Sequence, residues 1–161
     1  MSDTEFQKLS KQMLEILKAC EDSPSYENRP QITSPDLTYT TLLAKYPFLK
    51  NGGTKEHFFA LYLDGRRRLL FIENISIGTA TATLVHPREV FSPALKSEIP
   101  VTSIILAHNH PSGEAIPSRE DRMLTERLVQ AGQLLAINVD DHIIIGDNNY
   151  VSLRQMDIIF L

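Results

Sequence analysis

The chain has 161 residues, with a hydrophobic fraction of 42% and a charged fraction of 22%, which suits one globular domain with a sizeable core. Its net charge of −4 disfavours a chain whose main task is to bind a nucleic-acid backbone, and its single cysteine excludes an intrachain disulfide and a zinc site built from thiolates. No apolar run reaches the ~18 residues of a membrane span, and residues 2–10 are too polar for a signal peptide, so we expect a cytoplasmic protein.

The first predicted element is a helix over residues 4–20. Its apolar side chains recur near the 3.6-residue period of an amphipathic helix; they are Phe6, Leu9, Met13, Leu14, Ile16 and Leu17. Cys20 falls within this amphipathic stretch, so we interpret it as a small packed hydrophobic residue.

A polar segment at residues 21–31 contains Pro24 and Pro30 and is the best linker candidate in the chain. We therefore divide the chain into an N-terminal helical extension with its linker, residues 1–33, and a main domain, residues 34–161.

The main domain contains a predicted hairpin. Residues 55–64 are predicted to form a strand, and the nearly continuous apolar run within it, residues 58–63, indicates that both of its faces are covered. Asp64 and Gly65 are a turn signal, and residues 68–75 form the return strand. We interpret the three arginines at residues 66–68 as a solvated hairpin tip rather than a phosphate contact.

The other predicted elements are short helices and strands. Ser34 and Pro35 are the N-cap and first residue of a helix that runs to about residue 45. Further helices are predicted over residues 87–96 and 118–131. The apolar residues of the second repeat at helical spacing and predict its buried face: Leu124, Leu128, Ala131 and Leu135. Strands are predicted at residues 79–85, 101–107, 134–139, 143–145 and 150–153, with a last helical turn at 154–160.

Residues 107–121, AHNHPSGEAIPSRED, contain the candidate functional site. His108 and His110 follow the apolar run of a predicted strand, and residues two apart on a strand point to the same face. A Pro-Ser-Gly turn leads to a helix start with Ser118 as N-cap, and Asp121 lies on the same helical face as Ser118. Two imidazoles and one carboxylate leave a fourth zinc position open for water, which is typical of a catalytic zinc site.

The segments HNHPSG and PSRED resemble the JAMM (JAB/MPN+) metalloprotease motif in the form carried by RadC-type proteins. The segments KEHFFALYLDGRRRLLF and DHIIIGDNNYVSL and the stretch at residues 78–89 are also similar to RadC proteins, so the resemblance covers about residues 34–160. It implies an α/β fold with a single mixed-sheet JAB/MPN-like domain flanked by helices, in a cytidine-deaminase-like layer arrangement, behind an N-terminal accessory helix. We expect a short form without the helix-hairpin-helix-like region that RadC proteins carry before this domain.

The resemblance also implies a chemistry. His108, His110 and Asp121 would bind zinc, and Glu56, at the start of a strand, would act as general base towards the activated water. Ser118 would support the oxyanion of a tetrahedral intermediate in addition to capping its helix. The implied substrate is an amide or isopeptide bond in a peptide or protein. Glu73 is the competing candidate for the base, but it lies inside the second strand.

Other interpretations stay open. One alternative is a DNA-repair-associated nucleic-acid-binding module, and another is a non-catalytic protein-interaction module. Two histidines and a carboxylate also suit non-haem iron, although the spacing favours zinc, whereas a zinc deaminase would need more cysteines. We interpret His142 as structural and find no evident partner for His57 or His86. Arg88 matches a basic position of the RadC pattern and would pair with an acid or hold a substrate carboxylate. The oligomeric state cannot be predicted.

Overall fold

The structure is a computed structural model that describes residues 3–22, 28–78 and 85–157. These residues form four α-helices and five β-strands, with one 3₁₀ turn at Pro47–Lys50. The helices are α1 (Asp3–Asp22), α2 (Pro35–Lys45), α3 (Pro87–Lys96) and α4 (Arg119–Leu135). The strands are β1 (Glu56–Leu63), β2 (Leu69–Gly78), β3 (Ser103–Asn109), β4 (Asn138–Ile145) and β5 (Tyr150–Ser152).

The strands form one mixed sheet in the order β2-β1-β3-β4-β5. β3 and β4 pair in parallel, and the other neighbouring pairs are antiparallel. A parallel pair needs a crossover connection, and α4 provides it between β3 and β4. The predicted α/β fold with a single mixed sheet and an N-terminal helix is therefore confirmed.

Helices cover both faces of the sheet. Alternate residues of β1 face opposite sides: Phe59 and Leu61 join an apolar core with α1 and α2, whereas Phe58 and Tyr62 join a second core with α3 and α4. This double burial explains why β1 is nearly continuously apolar, as a strand covered on both faces requires.

The predicted turn chemistry is present in the hairpin between β1 and β2. The carboxylate of Asp64 accepts the backbone N–H groups of Arg66 and Arg68, each at 2.9 Å. Two arginines of the predicted solvated tip form ion pairs. Arg67 binds Asp140 at 2.7 Å and keeps 40% of its side chain exposed, whereas Arg68 binds Asp64 at 2.7 Å and is only 18% exposed, so the prediction of a solvated side chain is wrong for Arg68.

The prediction for residues 134–145 is wrong in two respects. α4 continues to Leu135 and ends at Ala136 in the left-handed conformation, so Leu134 and Leu135 are helical; their exposed fractions are 89% and 41%, and Leu135 is not on a buried face. In place of the two strands predicted at residues 134–139 and 143–145, the structure has a single strand, β4. The polar residues Asp141 and His142 suggested a break, but both are buried in β4 because other side chains satisfy their polar atoms.

Some expectations lie outside the described residues. These are the strand predicted at residues 79–85, of which only Val85 is described, the packing of Cys20, and the end of the last predicted turn, of which only residues 154–157 are described. The helices that are described are too short or too polar to cross a membrane. Met13 and Leu17 of α1 pack in the same apolar core as α2. The predicted domain boundary at residue 33 stays a prediction.

Candidate metal centre

His108, His110 and Asp121 come together at the carboxyl end of β3. His108 lies in the strand and His110 follows it directly, so both imidazoles leave the same sheet face, as predicted. Asp121 lies in the first turn of α4. One ligand atom from each residue can be chosen so that all lie within 4.8 Å of one another. The three residues predicted from the motif therefore form one cluster that can hold a metal ion.

The spacing of the donor atoms fits a tetrahedral ion. The two Nε2 atoms of His108 and His110 are 2.9 Å apart. Asp121 Oδ1 is 3.1 Å from His108 Nε2, and Asp121 Oδ2 is 3.5 Å from His110 Nε2. Ligands about 2.0–2.1 Å from a tetrahedral zinc ion are separated by about 3.3 Å. Because two nitrogen lone pairs repel at this distance, a proton or a cation has to lie between them.

Ser118 orients the carboxylate of Asp121 through a capping box. Ser118 Oγ accepts the Asp121 N–H at 3.0 Å, and the Ser118 backbone N–H donates to Asp121 Oδ2 at 2.7 Å. The hydroxyl of Ser118 also donates to Asp121 Oδ2, at 2.6 Å. Asp121 can therefore take part in the helix cap and face the histidines at the same time, because its carboxylate does both.

The electrostatics of the cluster favour a negative Asp121. Burial alone would raise the pKa of Asp121, but hydrogen bonds from His108 and His110 hold it well below its usual range. The hydrogen bond with Asp121 raises the pKa of His110 against the effect of burial. The carboxylate therefore stabilises a positive charge between the imidazoles, whether a proton or a metal ion carries it.

Glu56 is the first residue of β1 and lies across from His110. Phe58 pairs with His108 in the antiparallel ladder, and extending this register by two residues puts Glu56 opposite His110. The Phe58 ring stacks on the His108 ring with centroids 6.1 Å apart, so Glu56 shares their face of the sheet. Its negative charge contributes to the raised pKa of His110. Glu73 is exposed in β2 opposite Ala60, away from this end of the strand.

Asn109, between the two histidines, binds the chain on both sides of Glu56. Its Oδ1 accepts the backbone N–H of His57 at 2.8 Å, and its Nδ2 donates to Lys55 O at 2.8 Å and to Gly52 O at 2.6 Å. These three bonds use both N–H donors and the oxygen of the amide, which is completely buried. Its alternation with the histidines in β3 marked it as facing the other side of the sheet, but its partners were not predictable.

His142 contacts the cluster from β4. Its Nε2 lies 2.8 Å from His108 Nδ1, and its Nδ1 lies 2.6 Å from Thr125 Oγ1 in α4. Burial, followed by the nearby charge of His108, holds the pKa of His142 well below its ordinary value. The interpretation of His142 as structural did not include this contact, because His142 lies far along the chain from the two histidines. A histidine within an apolar run, and a threonine four residues after Asp121 on the same helical face, were the available signals.

The remaining histidines and Arg88 lie apart from the cluster. His57 does have a partner, since its Nδ1 is 2.9 Å from Asn74 Nδ2. His86 is the N-cap of α3, and its backbone N–H donates to Glu89 at 3.0 Å. Arg88 is exposed in α3, and its predicted pairing stays a prediction.

The fold and the site define an α/β domain with a mixed sheet and a histidine-histidine-aspartate centre at a strand end. The family model described as the RadC-like JAB domain matches residues 32–158. The chain is 49% identical over 129 residues, 80% of its length, to a "UPF0758 protein" of Methanosarcina mazei. It is 44% identical over 130 residues, 81% of its length, to a "UPF0758 protein" of Bacillus cereus. The chain belongs to the RadC-like JAB family, and the resemblance seen in its motifs is confirmed.

The chain spans about half the length of the curated relatives it matches. The matched region is 54% of the Methanosarcina mazei protein and 55% of the Bacillus cereus protein. A "UPF0758 protein" of Alkaliphilus metalliredigens gives a similar value, 53%. What the chain shares with these relatives is therefore the JAB domain.

Proposed function

We propose that this chain is a zinc-dependent hydrolase of the JAMM type that cleaves an amide or isopeptide bond in a peptide or protein substrate. The observation that carries the proposal is the cluster of donor atoms from His108, His110 and Asp121. The two Nε2 atoms are 2.9 Å apart, and the two carboxylate oxygens of Asp121 lie 3.1 Å from His108 Nε2 and 3.5 Å from His110 Nε2. Glu56, which faces the same end of the sheet in the register of β1, adds the acid–base group that such a hydrolase requires.

Zinc is the metal that suits the donors best. Two imidazole nitrogens and one carboxylate oxygen at this spacing leave one position of a tetrahedral ion open. When bound, zinc supplies a Lewis acid that polarises a carbonyl and lowers the pKa of water. Iron is the competing metal, because non-haem iron sites also use two histidines and a carboxylate.

The residues of the chain have separate tasks in this proposal. Glu56 accepts a proton from the attacking water and, after the C–N bond breaks, delivers that proton to the leaving amine. Asp121 and the histidines fix the centre against which the substrate carbonyl is oriented. Ser118 can donate its hydroxyl proton to the oxyanion only if that proton turns away from Asp121 Oδ2, which accepts it at 2.6 Å.

Metal content tests the centre first. Wild-type protein and the Asp121→Ala variant would be purified without added metal and analysed by mass spectrometry. We expect about one zinc per wild-type chain and none in a folded variant, because two imidazoles alone bind zinc weakly. A folded wild-type protein that neither contains zinc nor takes it up would contradict the proposal, and iron in its place would change the metal.

Hydrolysis tests the chemistry. The zinc-loaded protein would be assayed on peptide and isopeptide substrates together with Glu56→Gln, which removes the acid–base group and preserves size. We expect the variant to retain zinc and to lose at least about 100-fold in rate. Glu73→Gln is the matched control, because Glu73 is exposed in β2, and it should cleave at the wild-type rate.

A nucleic-acid-binding module remains the alternative from another class. The net charge of −4 speaks against it, as does the pairing of Arg67 and Arg68 with aspartates. Titration with duplex and single-stranded DNA at several salt concentrations would decide, because contacts to phosphates produce a steep salt dependence. A strong, salt-dependent affinity together with an absence of zinc would favour this alternative.

A further inference from the structure

We propose that His142 and Thr125 are positioning residues that hold His108 in the one tautomer able to bind a metal through Nε2. This inference rests on the proposed function, because it concerns the same centre. His142 and Thr125 contribute no metal ligand, and neither belongs to the motif that identifies the cluster.

The contacts form an unbroken chain of hydrogen bonds. His108 Nδ1 lies 2.8 Å from His142 Nε2, and His142 Nδ1 lies 2.6 Å from Thr125 Oγ1. Thr125 Oγ1 lies 2.6 Å from the backbone carbonyl oxygen of Asp121. His142 and Thr125 have exposed fractions of 0%, and His108 has 1%. Solvent therefore has no access to replace a missing partner.

The hydrogen bond from Thr125 to Asp121 O determines which atom donates in each of the other bonds. A carbonyl oxygen can only accept, so Thr125 must give its hydroxyl proton to Asp121 O; without that proton two oxygens 2.6 Å apart would repel. The Thr125 oxygen is then an acceptor for His142 Nδ1–H. With its proton on Nδ1, neutral His142 has a lone pair on Nε2, and this lone pair accepts His108 Nδ1–H.

The consequence falls on the metal ligand. Once Nδ1 carries the proton of neutral His108, its Nε2 has the free lone pair, and Nε2 is the atom that faces His110 and Asp121. With a metal ion in the cluster, the opposite tautomer would direct an N–H at that ion and leave two lone pairs facing each other between His108 and His142. Both changes are costly in a buried site.

The hydrogen bonds also connect two of the proposed metal ligands. Their chain begins at one ligand of the centre, His108, and ends at the backbone of another, Asp121. Metal-binding histidines commonly donate their second N–H to a carboxylate, a backbone carbonyl or water. In this protein a neutral imidazole accepts that proton, so His108 is oriented without adding a negative charge. The centre keeps Asp121 as its single anionic ligand, which favours a strongly electrophilic ion.

The test compares two substitutions of Thr125. Thr125→Val keeps the size of the side chain and removes the hydroxyl, whereas Thr125→Ser keeps the hydroxyl. Zinc affinity would be measured on the full chain by competition with a chromophoric chelator. We expect Thr125→Val to bind zinc about 10- to 100-fold more weakly, the range typical for loss of an outer-shell partner, and Thr125→Ser to stay within about 3-fold of wild type.

A spectroscopic measurement on the wild type makes the inference independent of how the variants fold. Long-range ¹H–¹⁵N correlation spectra of the zinc-loaded protein distinguish the two neutral tautomers of histidine. We expect His108 and His142 both to carry their proton on Nδ1. In Thr125→Val the His142 signals should shift most, because its Nδ1–H loses its acceptor.

Each outcome has a distinct meaning. Unchanged zinc affinity in Thr125→Val, equal weakening in Thr125→Val and Thr125→Ser, or a proton on Nε2 of His142 would overturn the positioning role and leave the proposed function intact. A wild-type chain that takes no zinc would overturn both. The expected order of affinities together with the Nδ1–H signals would support both.

Discussion

Asn109 Oδ1 accepts the backbone N–H of His57 at 2.8 Å, so the strand that leads into the proposed metal ligands also holds the neighbour of Glu56. The amide group of Asn109 donates to Lys55 on the other side of Glu56 at 2.8 Å. One buried side chain therefore fixes the distance between the proposed base and the proposed metal.

The first prediction concerns the Asn109 clamp, which is the set of three hydrogen bonds from its amide group to the backbone of His57, Lys55 and Gly52. Asn109→Ala leaves three backbone groups without their partner, so we expect a loss of about 2–4 kcal/mol in the free energy of unfolding. We also expect the rate of hydrolysis to fall more than the zinc affinity, because Glu56 is displaced while the ligands remain. Chemical denaturation and zinc competition measure the two effects.

A double-mutant cycle provides the control for the clamp. If Asn109 acts through Glu56, adding Asn109→Ala to Glu56→Gln should leave the residual rate nearly unchanged. Additive losses would show that Asn109 affects the rate by another route. Asn138→Ala, at an exposed position of β4, should change neither stability nor rate.

The second prediction concerns zinc as a stabilising ligand. At 100 times its dissociation constant, zinc should stabilise the folded chain by about 2.7 kcal/mol, which corresponds to about 5–10 °C in Tm. Thermal unfolding with and without a chelator measures this. Asp121→Asn should lose most of the increase, because an amide is a weaker ligand than a carboxylate. An equal increase in that variant would mean that zinc binds elsewhere.

The third prediction concerns Gly146, which follows β4 and packs against the ligand loop, defined here as residues 110–118 between β3 and α4. A Cβ atom there would collide with Gly113 O and Asn149 Oδ1 and would lie 2.9 Å from Ala115 N. We expect Gly146→Ala to destabilise the chain by about 1–3 kcal/mol and to weaken zinc binding, since the loop that carries His110 must move. Differential scanning calorimetry and zinc competition measure the two changes.

Gly65→Ala is the matched control for that substitution. The added Cβ atom would lie 3.8 Å from Thr102 Cγ2, an ordinary contact, and no other heavy atom is close. Zinc affinity and Tm should both stay near the wild-type values. A comparable loss in both variants would show that the effect is not specific to the ligand loop.

The fourth prediction concerns the pH dependence of the Asp64 turn. Burial alone would raise the pKa of Asp64, but hydrogen bonds from Arg68 and Arg66 outweigh it and lower the pKa. A carboxyl with a lowered folded pKa contributes stability above its unfolded pKa of about 3.9 and loses it as the pH falls through the folded value. Asp64→Asn should therefore destabilise the chain at pH 7, and the difference from wild type should shrink below about pH 4.

Denaturation curves at pH 7 and at successively lower pH would measure this difference. Glu126→Gln, at an exposed position of α4, should show no such trend. A constant difference between Asp64→Asn and wild type at every pH would mean that the charge of Asp64 does not contribute to stability.

Local signals explain what could be predicted from the sequence. His108, His110, Ser118 and Asp121 lie within one short segment, and strand alternation and helix capping relate them directly. Glu56 was predicted through a family resemblance, because no periodicity connects it to the motif.

The contacts that could not be predicted depend on strand register. His142 reaches His108 because β4 lies beside β3 in parallel, with His142 paired to Leu106. Asn109 reaches His57 because β1 lies on the other side of β3. Sequence patterns indicate that strands exist, but register is determined by packing between distant segments. The polar pair Asp141-His142 was mistaken for a break for the same reason.

The parallel pair β3 and β4, with α4 between them, contributes His108, His110, Asp121, Thr125 and His142 from one continuous length of chain. Glu56 reaches the centre from a strand of an earlier hairpin. In the proposed function, metal binding and proton transfer therefore come from two separate segments of the sequence. A chain of this fold could lose its reactivity through a single change in β1 and still bind its ion with full strength.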